Sequence, residues 1–267
     1  MKKYLSFFRI RFAAGLQYRT AAWAGISTQF FWGFMSILMF RAFYRSGQNV
    51  FPMGFEQLTS YIWLQQAFLA MFMAWFYDNE IFDHITSGSI AYELCRPCDL
   101  YGMWYVKNMA IRLSRVVLRC FPILFVAALL PAPYGITLPH SMEGAVMFLF
   151  SMTLGFLVMI AFNMLVYISA FFTVSPMGIR ILITSVLEFL CGAIIPIPFF
   201  PEWLQPVLYA LPFGSMQNTP FLIYVGHLAI DEGWRAIGLQ CFWLIALLMI
   251  GKTFMRCALK KVVVQGG

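Results

Sequence analysis

The side chains able to do chemistry in this chain are few and concentrated. Five of its eleven carboxylates, Asp78, Glu80, Asp83, Glu93 and Asp99, lie between Asp78 and Lys107, with a charge-free apolar run before Asp78 and an apolar run interrupted only by arginines after Lys107. A stretch this polar does not lie in hydrocarbon, where charge is costly. It is long enough for one or two short helices, broken at Ser87-Gly88 and again at Arg96-Pro97. A polar helical elbow between two apolar segments is a surface on which a soluble partner can push. A second set is cationic: Arg112, Arg115 and Arg119 are spaced i, i+3, i+7 and share a helical face. Arg119 and Glu188 each fall near the middle of an apolar segment. They either pair with each other, while Arg112 and Arg115 snorkel to the interface, or form a polar stripe facing an anionic headgroup or a translocation path. Both readings stay open, with the structural pair preferred.

Other motifs carry less. Cys95-Arg-Pro-Cys98 is a CxxC, but a redox pair wants a thioredoxin-like context, and zinc wants two more ligands where only His84 is near. Ala246 to Thr253 fits a loose phosphate-loop pattern with Ala for the first Gly, yet it ends an apolar helix, and Lys252 reads as an interfacial cation. His140 and His227 fall in loops without partner motifs, and no HExxH, GxSxG or paired intramembrane carboxylates occur. Neither a catalytic site nor a metal site is expected, and no cofactor is expected on this chain.

The elements that must position these residues follow from composition. With 267 residues, 61% hydrophobic and 11% charged, the chain reads as an all-α membrane protein. The apolar runs are continuous, unlike the ~10-residue alternating segments of a membrane β-barrel. The six cysteines are scattered and form no secreted disulfide framework. The N-terminal residues, interrupted by cations, do not read as a cleavable signal. Residues 1–18 predict an interfacial helix with Leu5, Phe8, Phe12 and Leu16 on one face, or else a plain cationic flank of the first span. Six transmembrane helices are expected: 20–40, 57–77, about 109–130, about 143–172, about 179–196 and about 234–256. Residues 78–107 form the loop between spans two and three. Residues 197–230 are cut by prolines into pieces too short to cross, including Pro198, Pro201, Trp203 and Pro212, and predict a segment that dips in and returns on the outer side. Placing both termini in the cytoplasm puts fifteen of eighteen cations on that side, leaving Arg41, Arg45 and Arg235 outside. The net charge of +7 is spread over span ends, so anionic lipid and not nucleic acid is the partner it suggests.

Three features together resemble the membrane subunit of a type-2 ABC exporter, the ABC-2-type permease family. Ile85-Thr-Ser-Gly88-Ser-Ile-Ala-Tyr-Glu-Leu-Cys-Arg-Pro97 is similar to the family's I-x-x-G-x-(I/L)-x-x-x-L-x-x-P element in the first cytoplasmic loop. Pro198-Phe-Phe-Pro-Glu-Trp-Leu204 with Leu211-Pro212 resembles its outer re-entrant segment, and the N-terminal amphipathic helix with six spans resembles its layout. The resemblance runs over essentially the whole chain, one permease domain. It implies a bacterial inner-membrane subunit without catalysis of its own, paired with a second permease and driven by two separate ATPase subunits that carry ATP and magnesium. It further implies a coupling helix within Asp78–Pro97, with Glu80, Asp83, Thr86, Gly88, Glu93, Arg96 and Pro97 at the ATPase contact. Arg96-Pro-Cys-Asp-Leu100 resembles a bacterial subgroup in which the second permease is a different chain, and so implies a heterodimer. The cargo expected is amphipathic or lipid-like, and the direction export. The rival readings are a channel and an accessory membrane subunit without a transport path.

Overall fold

In a computed structural model that describes residues 2–47, 51–139, 141–173 and 175–261, the chain forms twelve α-helices and, among the described residues, no strand. They are α1 (Lys2–Leu16), α2 (Arg19–Arg45), α3 (Phe55–Ala67), α4 (Leu69–Phe72), α5 (Asn79–Thr86), α6 (Ile90–Leu94), α7 (Leu100–Leu129), α8 (Met142–Ser169), α9 (Pro176–Leu190), α10 (Gln205–Ala210), α11 (Asn218–Tyr224) and α12 (Ile230–Leu259). Short 3-10 turns follow α8 at Ala170–Phe172 and α9 at Ile197–Phe199. His140 lies outside the described residues.

The bundle is built on α8. This helix is apolar on every side, which suits burial rather than a half-wet surface, and it packs against α12, α11, α7 and α9. Its start is set by Ser141, whose hydroxyl accepts from the Gly144 amide at 3.0 Å. Helix α8, taken with its 3-10 turn, and α12 are long and apolar enough to cross a membrane. Helices α2 and α7 have the length, 27 and 30 residues, but Gly, Ser, Thr and Gln dilute α2, and arginine dilutes α7.

Several expected boundaries move, each for a local reason. The second expected span leaves the helix at Met73 rather than Tyr77, because the Arg112 guanidinium takes over the carbonyls of Met71, Met73 and Phe76. The fifth ends at Leu190, where Gly192 turns the chain with φ +78°. A Cβ at Gly192 would come within 2.9 Å of both Asn218 Oδ1 and Tyr61 Oη. Helix α7 begins at Leu100, since Asp99 caps it by accepting from the Gly102 amide at 2.8 Å. On α1 the packed side is Tyr4, Phe7, Phe8, Arg11 and Phe12, and Leu5, expected on that face, is 53% exposed. The helix is turned that way because it lies along α7, with Gly15 so close to Ser114 that any Cβ would overlap the hydroxyl.

The segment from Ile197 to Ala229 contains only short pieces, and its backbone is held by side-chain amides, one of its own and two from other helices. Asn218 Oδ1 accepts from Tyr61 Oη and from the Ile197 amide, both at 3.1 Å. Gln240, fully buried on α12, donates to the Ser215 and Ser151 carbonyls at 2.8 and 3.2 Å and accepts from Ser151 Oγ at 2.9 Å. Gln57, in the first turn of α3, reaches the Val225 carbonyl at 3.1 Å. Non-helical backbone away from water persists only where protein supplies such partners. The Gln57 contact also places this segment at the end of α3 opposite the elbow.

Candidate functional site

The elbow begins with Asp78, which caps α5 by accepting from the Glu80 amide at 3.1 Å. Two residues past the end of α5 at Thr86, Gly88 has a φ of +74° that allows the sharp turn into α6 without the penalty a Cβ would bring. Ile81, Phe82 and Ile90 point inward and are at most 4% exposed, packed with Leu100, Trp104 and Tyr167. Burying an apolar side chain fully contributes about 1.5–3 kcal/mol, whereas a surface ion pair contributes about 0–1 kcal/mol. The apolar underside therefore seats the elbow, and its charged contacts set the register.

Those contacts converge on Lys107, in the second turn of α7. Its buried ammonium lies 2.7 Å from Asp78 and 2.6 Å from Glu80. Arg11 of α1 approaches Glu80 at 3.7 Å, and Lys3 donates to the Pro97 carbonyl at 2.8 Å, so α1 is latched to both ends of the elbow. The Lys107 hydrogen bond, with the charges of Lys107, Arg11 and His84 behind it, holds the Glu80 carboxyl below its usual range against the opposing effect of partial burial. Glu93 accepts from Trp104 Nε1 at 2.8 Å and meets His84 at 3.3 Å. From α8, Tyr167 Oη accepts from the Asp78 amide at 2.7 Å. From α9, Arg180 donates to Asn79 at 3.0 Å and lies over the Tyr77 and Phe82 rings.

The elbow residues named from sequence thus divide. Glu80, exposed but ion-paired with Lys107, and half-buried Glu93, held by Trp104 and His84, are engaged within the chain, while Asp83, Thr86, Gly88, Arg96 and Pro97 are exposed. Tyr92, 78% exposed beside them, was not among those expected. Cys95 and Cys98 are free thiols at the end of this stretch. The Ala246–Thr253 run lies inside α12, where backbone amides are taken by the helix and form no phosphate cradle.

The cationic stripe does not act as one unit. Arg112 is fully buried and donates to the carbonyls of Met71, Met73 and Phe76 at 3.0, 3.0 and 2.8 Å, closing the end of α4. It does not snorkel. Arg115 stacks on the Phe76 ring, 3.8 Å from its centroid. Arg119 lies against α2, where a Cβ on Gly25 would come within 2.6 Å of the guanidinium carbon. No ion pair joins Arg119 to Glu188, so the preferred structural pair is not formed; the two line one cavity of about 520 Å³ between α2, α3, α7 and the end of α9. Of the proline-rich residues, Pro198 and Pro212 are buried, Pro201 is exposed, and Trp203 is 75% exposed.

Charge counting overlooked Lys107 as a hub and passed over the amides Gln29, Gln65, Gln66, Asn218 and Gln240. The available signal was a glutamine or asparagine inside a charge-free run, which at membrane depth needs a partner just as a charge does.

A search of curated proteins finds no match. The family described as "ABC-2 family transporter protein" matches residues 30–266, from the middle of α2 through α12 and beyond. A match over so much of the chain, on an all-helical bundle with two helices able to cross a membrane, shows that the chain belongs to the ABC-2 family of membrane transporter proteins.

Proposed function

We propose that this chain is the permease subunit of an ATP-driven exporter and that separate ATPase subunits dock on the exposed edge of the α5–α6 elbow. The observation that carries this reading is the elbow's mounting. One buried cation, Lys107, ties it to α7, Tyr167 ties it to α8, Arg180 ties it to α9, and Arg11 ties it to α1. A push on the edge formed by Asp83, Thr86, Gly88, Tyr92 and Arg96 is therefore delivered to four helices at once. A loop without function would not need such bracing. Alternating access then follows from closure of the ATPases, which re-packs this bundle against a second permease. Six crossings, cytoplasmic termini, two ATPases carrying ATP and magnesium, a related but different second permease and an amphipathic cargo complete the proposal.

The test is affinity purification of the tagged chain in mild detergent with mass spectrometry and an ATPase assay. Asp83→Lys combined with Tyr92→Ala changes only the exposed edge, whereas Glu93 is tied to Trp104 and is left alone. Co-purification of a nucleotide-binding subunit with wild type and its loss with the double variant, at unchanged melting temperature, is the expected outcome. If wild type recovers no ATPase across several detergents, the accessory and channel readings take its place.

A further inference from the structure

The cavity between α2, α3, α7 and α9 holds an unusual inventory. Its volume is about 520 Å³, within the range of small-molecule sites. One wall is apolar and partly open, with Trp32, Met35, Met39 and Trp75 each at least 42% exposed. Along α2 the lining runs from Gly25 to Phe40, a rise of about 22 Å. Within this space sit one cation, Arg119, and one carboxylate, Glu188, neither in an ion pair among the described residues. Gln29, 3% exposed, also lines the cavity, and its amide nitrogen and oxygen both lack a hydrogen-bond partner. Gln66 lines the same space, while Gln65 is already used on the Ala193 carbonyl.

The Gln29 amide and the two charges are costly to leave as they stand, Arg119 having only a long 3.5 Å contact to the Ala21 carbonyl. A buried amide with neither atom satisfied forfeits about 1–3 kcal/mol, and isolated charges in a span mark a partner or a path. The protein could have removed the cost by joining Arg119 to Glu188, and it does not. The side chain absent from Gly25 keeps the Arg119 guanidinium on α2 instead.

We propose that this cavity binds a zwitterionic amphiphile. The ligand's anionic group is taken by Arg119, its amine by Glu188, its polar linker by the Gln29 amide, and its chain by the Trp and Met wall. A site with one charge of each sign is neutral overall, so it selects a net-neutral head over an anionic or a cationic one. The assignment rests on the permease reading only for what happens to the ligand after binding. Binding itself is read on the purified chain without ATPase, so failure here and failure of the ATPase pull-down are separate results.

The experiment measures binding of three short-chain lipids to the solubilised chain by native mass spectrometry: dioctanoyl phosphatidylethanolamine, the anionic dioctanoyl phosphatidylglycerol, and a cationic dioctanoyl trimethylammonium propane. Wild type should prefer the zwitterion by about tenfold over either charged lipid, the scale of one well-placed charge contact. Glu188→Gln should bring phosphatidylglycerol to within about twofold of phosphatidylethanolamine, because the ethanolamine ammonium then loses the carboxylate that favoured it. Arg119→Gln should move the preference towards the cationic lipid, and Gln29→Leu should weaken all three. If the arginine variant does not fold, the glutamate variant alone still decides. Tail-less glycerophosphoethanolamine distinguishes sources: binding as tight as that of the lipid would overturn an amphiphile in favour of a soluble zwitterion. Equal binding of all three heads by wild type, or an unchanged ratio in Glu188→Gln, overturns the proposal.

Discussion

Arg112 closes the end of α4 with a group that comes from α7, nearly forty residues later in the chain. Three backbone carbonyls, those of Met71, Met73 and Phe76, have its guanidinium as their donor. Arginine suits this role because its planar fork presents several donors in fixed directions, whereas lysine is a point charge. Arg112→Leu should leave those carbonyls without a donor at about 1–3 kcal/mol each, which predicts loss of folded yield in detergent by fluorescence-detected size exclusion. Arg112→Lys should recover part of that yield. Glu80 gives a second prediction at this scale. Its carboxyl titrates lower in the folded protein than in the unfolded chain, chiefly through the Lys107 hydrogen bond. Its contribution is therefore complete above the ordinary carboxylate value of about 4.3 and is lost as pH falls through the depressed folded value. The difference in melting temperature between wild type and Glu80→Gln should stay constant from neutral pH down to about pH 5 and shrink below pH 4. A difference that vanished near neutral pH would refute the assignment.

At the scale of elements, the elbow's charges were legible in sequence while their partners were not. Spacing alone placed breaks at Ser87-Gly88 and Arg96-Pro97, and helices α5 and α6 end next to them. That Glu80 and Glu93 are tied down depends on Lys107 and Trp104, which meet them only after α7 folds back beneath the elbow, and on His84 of α5, which meets Glu93 across the turn at Gly88. Helix α1 depends on the same kind of contact. Gly15→Leu should lift it from Ser114 and break its latch to Glu80 and Pro97. Limited trypsin digestion should then cut at Arg9 or Arg11 several times faster than in wild type, with the rest of the chain protected. Equal rates would mean that α1 is not held by that contact. The segment beyond α9 shows the converse dependence, since its short pieces stand on Tyr61, Gln240 and Gln57 from other helices.

At the scale of the whole molecule, the orientation proposed from the cation count can be tested with thiols. In a background lacking the other cysteines, Cys95, exposed on the elbow, should react with a membrane-impermeant maleimide only when cells are opened. A cysteine introduced at Leu138, 87% exposed at the end of α7 remote from the elbow, should react in intact cells. Labelling of both from the same side would overturn the single crossing by α7 between them and the ends of the bundle as assigned.

Class and punctuation were legible from the order of residues alone. Continuous apolar runs require helices in a membrane, and Gly, Pro and Asp mark where helices end, because those constraints act within a few residues. The family match over residues 30–266 agrees with the resemblance read from the loop and proline motifs. Tertiary structure alone decided which polar groups satisfy one another. Arg119 and Glu188 looked like a pair because each needed a partner at similar depth, yet rotation of α7 and α9 and the open face of Gly25 leave them apart around a cavity. Arg112 looked like an interfacial cation, yet it found the carbonyls of a helix end from another part of the chain. Sequence states that such a group needs a partner, and only the packing of helices selects which one it gets.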